Sequence, residues 1–229
     1  MKICYPKTIL FCRVLTVLLL AMAAEAQQLP AGTPPHQSGP PVKVLIAGEN
    51  PGLRLLDKEG GKALTSVNFW RAQWSPVGAG AVCFLTIRDS GPNNVRIAIT
   101  DNEPLADYVA NKLMGSFGGS NRFNDPPYNV LKGTITQADV DIRQRSETCQ
   151  SSQYKVEIIW KDLGEPTWVP EFRPGNGSIV QSFVMVQAKG GEVLVNGKKA
   201  PGTYYPTGGG FGPGAYLTLN EAWRQEPNK

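Results

Sequence analysis

The sequence carries one histidine, four cysteines and, beyond Ala23, no apolar run long enough to cross a bilayer as a helix. Each scarcity excludes something. His36 lies in Pro34-Pro35-His36-Gln37-Ser38-Gly39-Pro40-Pro41, too rich in proline and glycine to pack into a core. A general base or metal ligand needs fixed geometry, and such a segment does not provide it. Ser-His-Asp chemistry, Cys-His chemistry and histidine-based metal centres are therefore set aside. Two cysteines do not make a zinc site without other ligands, and no metal or other cofactor is expected. The Gly-rich stretch Thr207–Gly214 lacks the Gly-Lys-Ser/Thr ending of a phosphate loop.

What is present begins with export. Lys2 and Lys7 precede an apolar run, Thr8–Ala23, interrupted by Arg13, and Ala24-Glu25-Ala26 has the small-x-small form of a cleavage site. This is the layout of a secretory signal peptide over residues 1–26, and it predicts a secreted or periplasmic protein with no membrane span after processing. Removing it takes three of 23 basic residues (Lys2, Lys7, Arg13) and one of 19 acids (Glu25), leaving 20 against 18, a net charge of +2. So small an excess, with only Lys198-Lys199 as a local basic pair, argues against a nucleic-acid partner. Cys4 and Cys12 leave with the signal. Cys83 and Cys149 remain, and an exported chain favours their pairing as a disulfide, worth about 4 kcal/mol for a loop of that length. Residues 27–41 form a Pro/Gly-rich linker and 42–229 a single β domain.

The architecture is read outward from Ser178–Tyr205, as strand, Gly190-Gly191 turn, strand, Asn196-Gly197 turn, strand. Ala81–Arg88 is apolar on both faces and reads as a second buried strand. Tyr154–Lys161 alternates with Tyr154, Val156, Ile158 and Trp160 inward. Gly133–Arg143 alternates with Thr136, Ala138, Val140 and Ile142 inward, and Gln144–Gln153 between the two is a polar turn holding Cys149. Leu217 and Leu219 face inward in the last strand. Pro104–Met114 is the one helix, with Leu105, Tyr108, Val109 and Leu113 at helical spacing and Asp101 or Glu103 as its N-terminal acid. The fold class is mainly β: an antiparallel β-barrel or two-layer β-sandwich of about nine or ten strands with one short helix.

Function rests on aromatics beside loops. Trp168, Tyr204 and Tyr205 flank turns and are expected to line a pocket at one end of the sheet, covered by Gly115–Asn129 or Thr207–Gly214. The first of these loops contributes Phe123 and Tyr128. The first reading is a non-catalytic binder of a small apolar or sugar-like ligand. A second is a histidine-free enzyme of glycoside hydrolase, lyase or isomerase type, with Glu171 and Asp101 as catalytic carboxylates; Glu171 earns its place from Trp168 nearby, because an indole raises the pKa of an adjacent acid. Asp139 and Asp141, two apart on one strand face, belong to a solvated surface. The third reading is a cell-envelope interaction module using an exposed strand edge.

Overall fold

The computed structural model describes residues 43–88, 94–115, 121–141, 143–173, 178–207 and 213–226, without the side chains of residues 121, 122 and 139–141. The expected signal segment, the expected linker with His36, most of the Gly-rich stretch at 207–214, and the Asp139, Val140, Asp141 and Ile142 side chains lie outside the described residues.

Among the described residues, thirteen strands form one sheet: β1 (Lys43–Glu49), β2 (Gly52–Leu56), β3 (Ala63–Trp74), β4 (Gly80–Ile87), β5 (Val95–Thr100), β6 (Asn129–Asp141), β7 (Gln144–Ser151), β8 (Lys155–Leu163), β9 (Thr167–Phe172), β10 (Ile179–Val195), β11 (Lys198–Lys199), β12 (Thr203–Tyr204) and β13 (Ala215–Gln225). Followed from β3 through β4, β5, β6, β7, β8, β10, β13 and β1, the pairings return to β3. The ladder is closed, as in a barrel. β10 makes this possible by its length: its first half pairs with β13 and β9, its second half with β8 and β11. Among these strands every pairing is antiparallel except β5–β6.

Closure separates two apolar clusters. Phe69, Cys83, Leu85, Ile99, Ile158, Trp160, Val193 and Leu217, drawn from strands all around the circuit, fill the interior. Trp160 sits fully buried there and its Nε1–H donates to the Gly52 carbonyl at 3.0 Å. On the outside, Ile46, Trp70, Val82, Phe84, Ala98 and Trp223 are covered by Leu105, Val109 and Leu113 of the helical segment. β4 is thus apolar on both faces because one faces the interior and the other a helix.

One end of the interior is ionic. Arg71 Nη2 lies 2.5 Å from Glu147, and Arg145 Nη2 lies 2.8 Å from Glu147 and 2.5 Å from Glu49. This links β3, β7 and β1, strands that do not all pair with one another. Glu147 is fully buried, and burial pushes its carboxyl above the ordinary range although both arginines oppose the shift. Arg71 Nε is buried without a hydrogen-bond partner.

Several expectations are corrected. Gly190-Gly191 is no turn: β10 runs straight through it, and neither glycine has positive φ. Gly191 faces inward, where a Cβ would run into the Leu53 side chain, so the residue answers a close approach rather than a bend. Asn196-Gly197 does turn, with φ of 51° and 76° as a type I′ hairpin requires. Gln144–Gln153 is not a polar turn but mostly strand β7, with Arg145, Glu147, Cys149 and Ser151 buried on one side. On β6 the inward residue is Ile135, while Thr136 and Ala138 are exposed, the reverse of the expected phase. The disulfide between Cys83 and Cys149 is also not formed. Both are free, fully buried thiols, and contact with Cys83 together with burial pushes the Cys149 thiol well up. An oxidising compartment permits a bond, but these two pack into the apolar interior as small hydrophobes. Neither thiol should react with a soluble disulfide reagent in the native protein, and both should react once denaturant is added. One fast-reacting native thiol would contradict this.

Candidate functional site

The parallel β5–β6 pair dictates where the irregular structure lies, because parallel neighbours need a crossover. Residues 101–128 make it. Its start is pinned to the β3–β4 turn and the beginning of β4: Asp101 Oδ1 accepts from Ala81 N at 2.7 Å, and Asn102 Nδ2 donates to the Ala79 carbonyl at 2.9 Å. Gly80 (φ 155°) lets this happen, since a Cβ there would come 2.7 Å from the Asn102 Cβ. Asn102 caps the helix, accepting from Leu105 N at 3.2 Å, and Glu103 is the acid of its first turn, as expected.

The helical segment is shorter in its α part than the spacing predicts. α1 spans Glu103–Asp107 and opens into a π-helical turn, Tyr108–Leu113, in which Met114 N donates to the Val109 carbonyl at 2.9 Å. Single π turns of this kind are frequent at functional sites. The turn keeps Leu113 buried, and the Tyr108 hydroxyl donates to the Leu45 carbonyl at 2.8 Å.

Against its outer side lies a cleft of about 360 Å³ walled by Phe84, Glu103, Asp107, Asn111, Asn124 and Tyr128, with Val130 exposed beside them. Its polar wall is a directed relay. Tyr128 N donates to Asn124 Oδ1 at 3.0 Å, Asn124 Nδ2 to Asn111 Oδ1 at 2.7 Å, and Asn111 Nδ2 to Asp107 Oδ1 at 2.8 Å. Each carboxamide has a second N–H and each oxygen a second lone pair, so this wall offers both donors and acceptors. The apolar floor is a packed aromatic cluster. Phe84 meets Phe123 and Tyr128 edge-to-face with centroids 5.1 and 4.9 Å apart. The Arg96 guanidinium lies 3.8 Å from the Tyr128 ring centroid and donates to the Phe123 and Pro126 carbonyls at 2.5 Å. One arginine therefore holds the returning loop at three points.

Of the residues singled out in the sequence, the structure brings Phe123 and Tyr128 together in this cleft region. Tyr204 lines a different cleft of about 350 Å³, with Leu55, Gly190, Gly191, Lys161 and Lys199, and its hydroxyl donates to the Ala188 carbonyl at 2.8 Å. There Glu192 is paired with Lys161 at 3.0 Å and Lys199 at 3.2 Å, contacts that lower its pKa. Half-buried Tyr205 follows β12 in the chain. Trp168 stands 59% exposed on β9 and belongs to neither wall. Glu171, also on exposed β9, is ion-paired with Arg173 at 2.6 Å, and no described contact joins it to Asp101. Asp107, Asn111 and Asn124 were not singled out as site residues. The i, i+4 spacing of Asp107 and Asn111 on a helix was a usable signal; their meeting with Asn124 was not. Comparison with family models, curated proteins and solved structures finds no match for this chain.

Proposed function

We propose that the chain is an exported, non-catalytic binding protein that takes a small polyhydroxylated, sugar-like ligand in the crossover cleft. The observation that carries this reading is the Asp107–Asn111–Asn124 relay beside the apolar floor of Phe84, Tyr128 and Val130. Ligand pockets pair apolar surface with a few convergent polar groups in this way. Hydroxyl groups both donate and accept, matching a wall of carboxamides and carboxylates. The signal-like sequence of residues 1–26 supports export to a secreted or periplasmic location.

Isothermal titration against a panel of mono- and disaccharides and polyols tests it. At least one should bind, and Asp107→Ala or Asn111→Ala should weaken that binding by roughly tenfold or more, the worth of a charge-assisted hydrogen bond. Affinity untouched in both variants, or no binding by any panel member to natively folded protein, would refute the assignment.

A further inference from the structure

Glu221 is 5% exposed on β13, paired with Gly48 of β1. The residue before it, Asn220, has φ 50°, and the β10–β13 register shifts at this point, between Ser182 and Val184. Thr218 and Glu221 consequently meet, although an odd separation along a regular strand would put them on opposite faces.

The hydrogen inventory of this contact does not close with an ionised acid. Thr218 Oγ1 lies 3.0 Å from Asn50 N, 2.7 Å from the Asn50 carbonyl oxygen and 2.5 Å from Glu221 Oε2. The Asn50 N–H, shared with the Thr218 carbonyl oxygen at 3.1 Å, faces a lone pair of the hydroxyl. The hydroxyl's one hydrogen serves one of the two remaining oxygens and leaves the other facing it with lone pairs only. A carboxylic acid resolves the conflict. Glu221 Oε2–H then donates to Thr218, Thr218 donates to the Asn50 carbonyl, Asn50 N donates back to Thr218, and Glu221 Oε1 accepts from Trp223 Nε1–H.

We propose that Glu221 is a neutral acid that latches β13 to the β1–β2 turn at Asn50, and that its ionisation releases the latch as pH rises. Burial, which pushes the Glu221 carboxyl up to about 7 against the opposing hydrogen bonds from Thr218 and Trp223, agrees with this. Among the described residues, the groups around it add no positive partner. Tyr216 on β13 is itself pushed up by burial, Arg54 on β2 acts on Tyr216, and the facing positions on β1 and β3 are Gly48 and Ala72. The folded acid binds its proton more tightly than the unfolded one, whose ordinary value is 4.5. Its contribution to stability is therefore full at acid pH, falls as pH rises through the window from there to about 7, and is lost above it.

Glu221→Gln is the direct test, since its amide donates to Thr218 at every pH. The ratio of wild-type to variant unfolding constants should rise roughly a hundredfold or more from acid to mildly alkaline pH. Amide exchange at Asn50, corrected for intrinsic rate, should lose protection over the same range in the wild type only. Should the variant not fold, the carbon-13 titration of the Glu221 carboxyl in the wild type still decides. A midpoint at or below that of an ordinary glutamate, parallel stability profiles, or pH-independent protection of Asn50 would each overturn the proposal.

Discussion

Glu147→Ala is expected to lower stability by about 3–5 kcal/mol, because it takes the buried carboxylate away from buried Arg145 and half-buried Arg71 rather than merely deleting a contact. Arg71 and Arg145 both spend their guanidinium hydrogen bonds on this one carboxylate, and Arg145 is left with Glu49 alone. Nor is Arg71 in a position to compensate, since its Nε is already without a partner. Urea denaturation at neutral pH measures the loss directly. The sharper result concerns the whole cluster. Replacing Glu49, Arg71, Arg145 and Glu147 together by apolar residues of similar volume should recover most of what the single change costs, since ion pairs taken out of water are often no better than good packing. A single-variant loss below about 1 kcal/mol, the value of an exposed pair, would mean that water reaches the cluster.

Trp160→Ala should cost about as much, roughly 3–5 kcal/mol, by opening a cavity in the middle of the interior. It also removes the donor to the Gly52 carbonyl. Trp160→Phe separates the two effects: it keeps most of the packing and forfeits only the hydrogen bond, a loss of about 1–3 kcal/mol. Trp168→Ala serves as the comparison, because that indole is 59% exposed and should lose little. Equal midpoints for the Trp160→Ala and Trp168→Ala variants would contradict the placement of Trp160 at the centre.

How much of this was legible in the sequence depended on whether a residue's reason was local. β4 and β8 were legible, since their apolar periodicity reports burial directly. Asn196-Gly197 was legible because its φ values are a property of those two residues. β7 was not, because its inward side carries Arg145 and Glu147, whose partners come from β1 and β3; composition alone makes such a strand look like a turn. Gly190-Gly191 misled for the same reason, its cause being Leu53, far away in the chain. In the candidate site, aromatics on a loop pointed to Phe123 and Tyr128, while Asn124 acquires meaning only when the crossover folds it against the helix. Glu221 is the clearest case. Alternation from Leu217 and Leu219 would send it inward, and one left-handed residue, Asn220, sends it to Thr218 and Trp223 instead.

Because the ladder closes on itself, the danger of uncontrolled self-association is concentrated on β9, the longest strand with a single neighbour. It displays Trp168 and Phe172 to solvent, yet Pro170 at its middle has no amide hydrogen to offer a foreign strand, and Glu171 beside it carries a charge. Protection of this edge thus falls to the chemistry of two adjacent positions, with no described element laid over them as a shield.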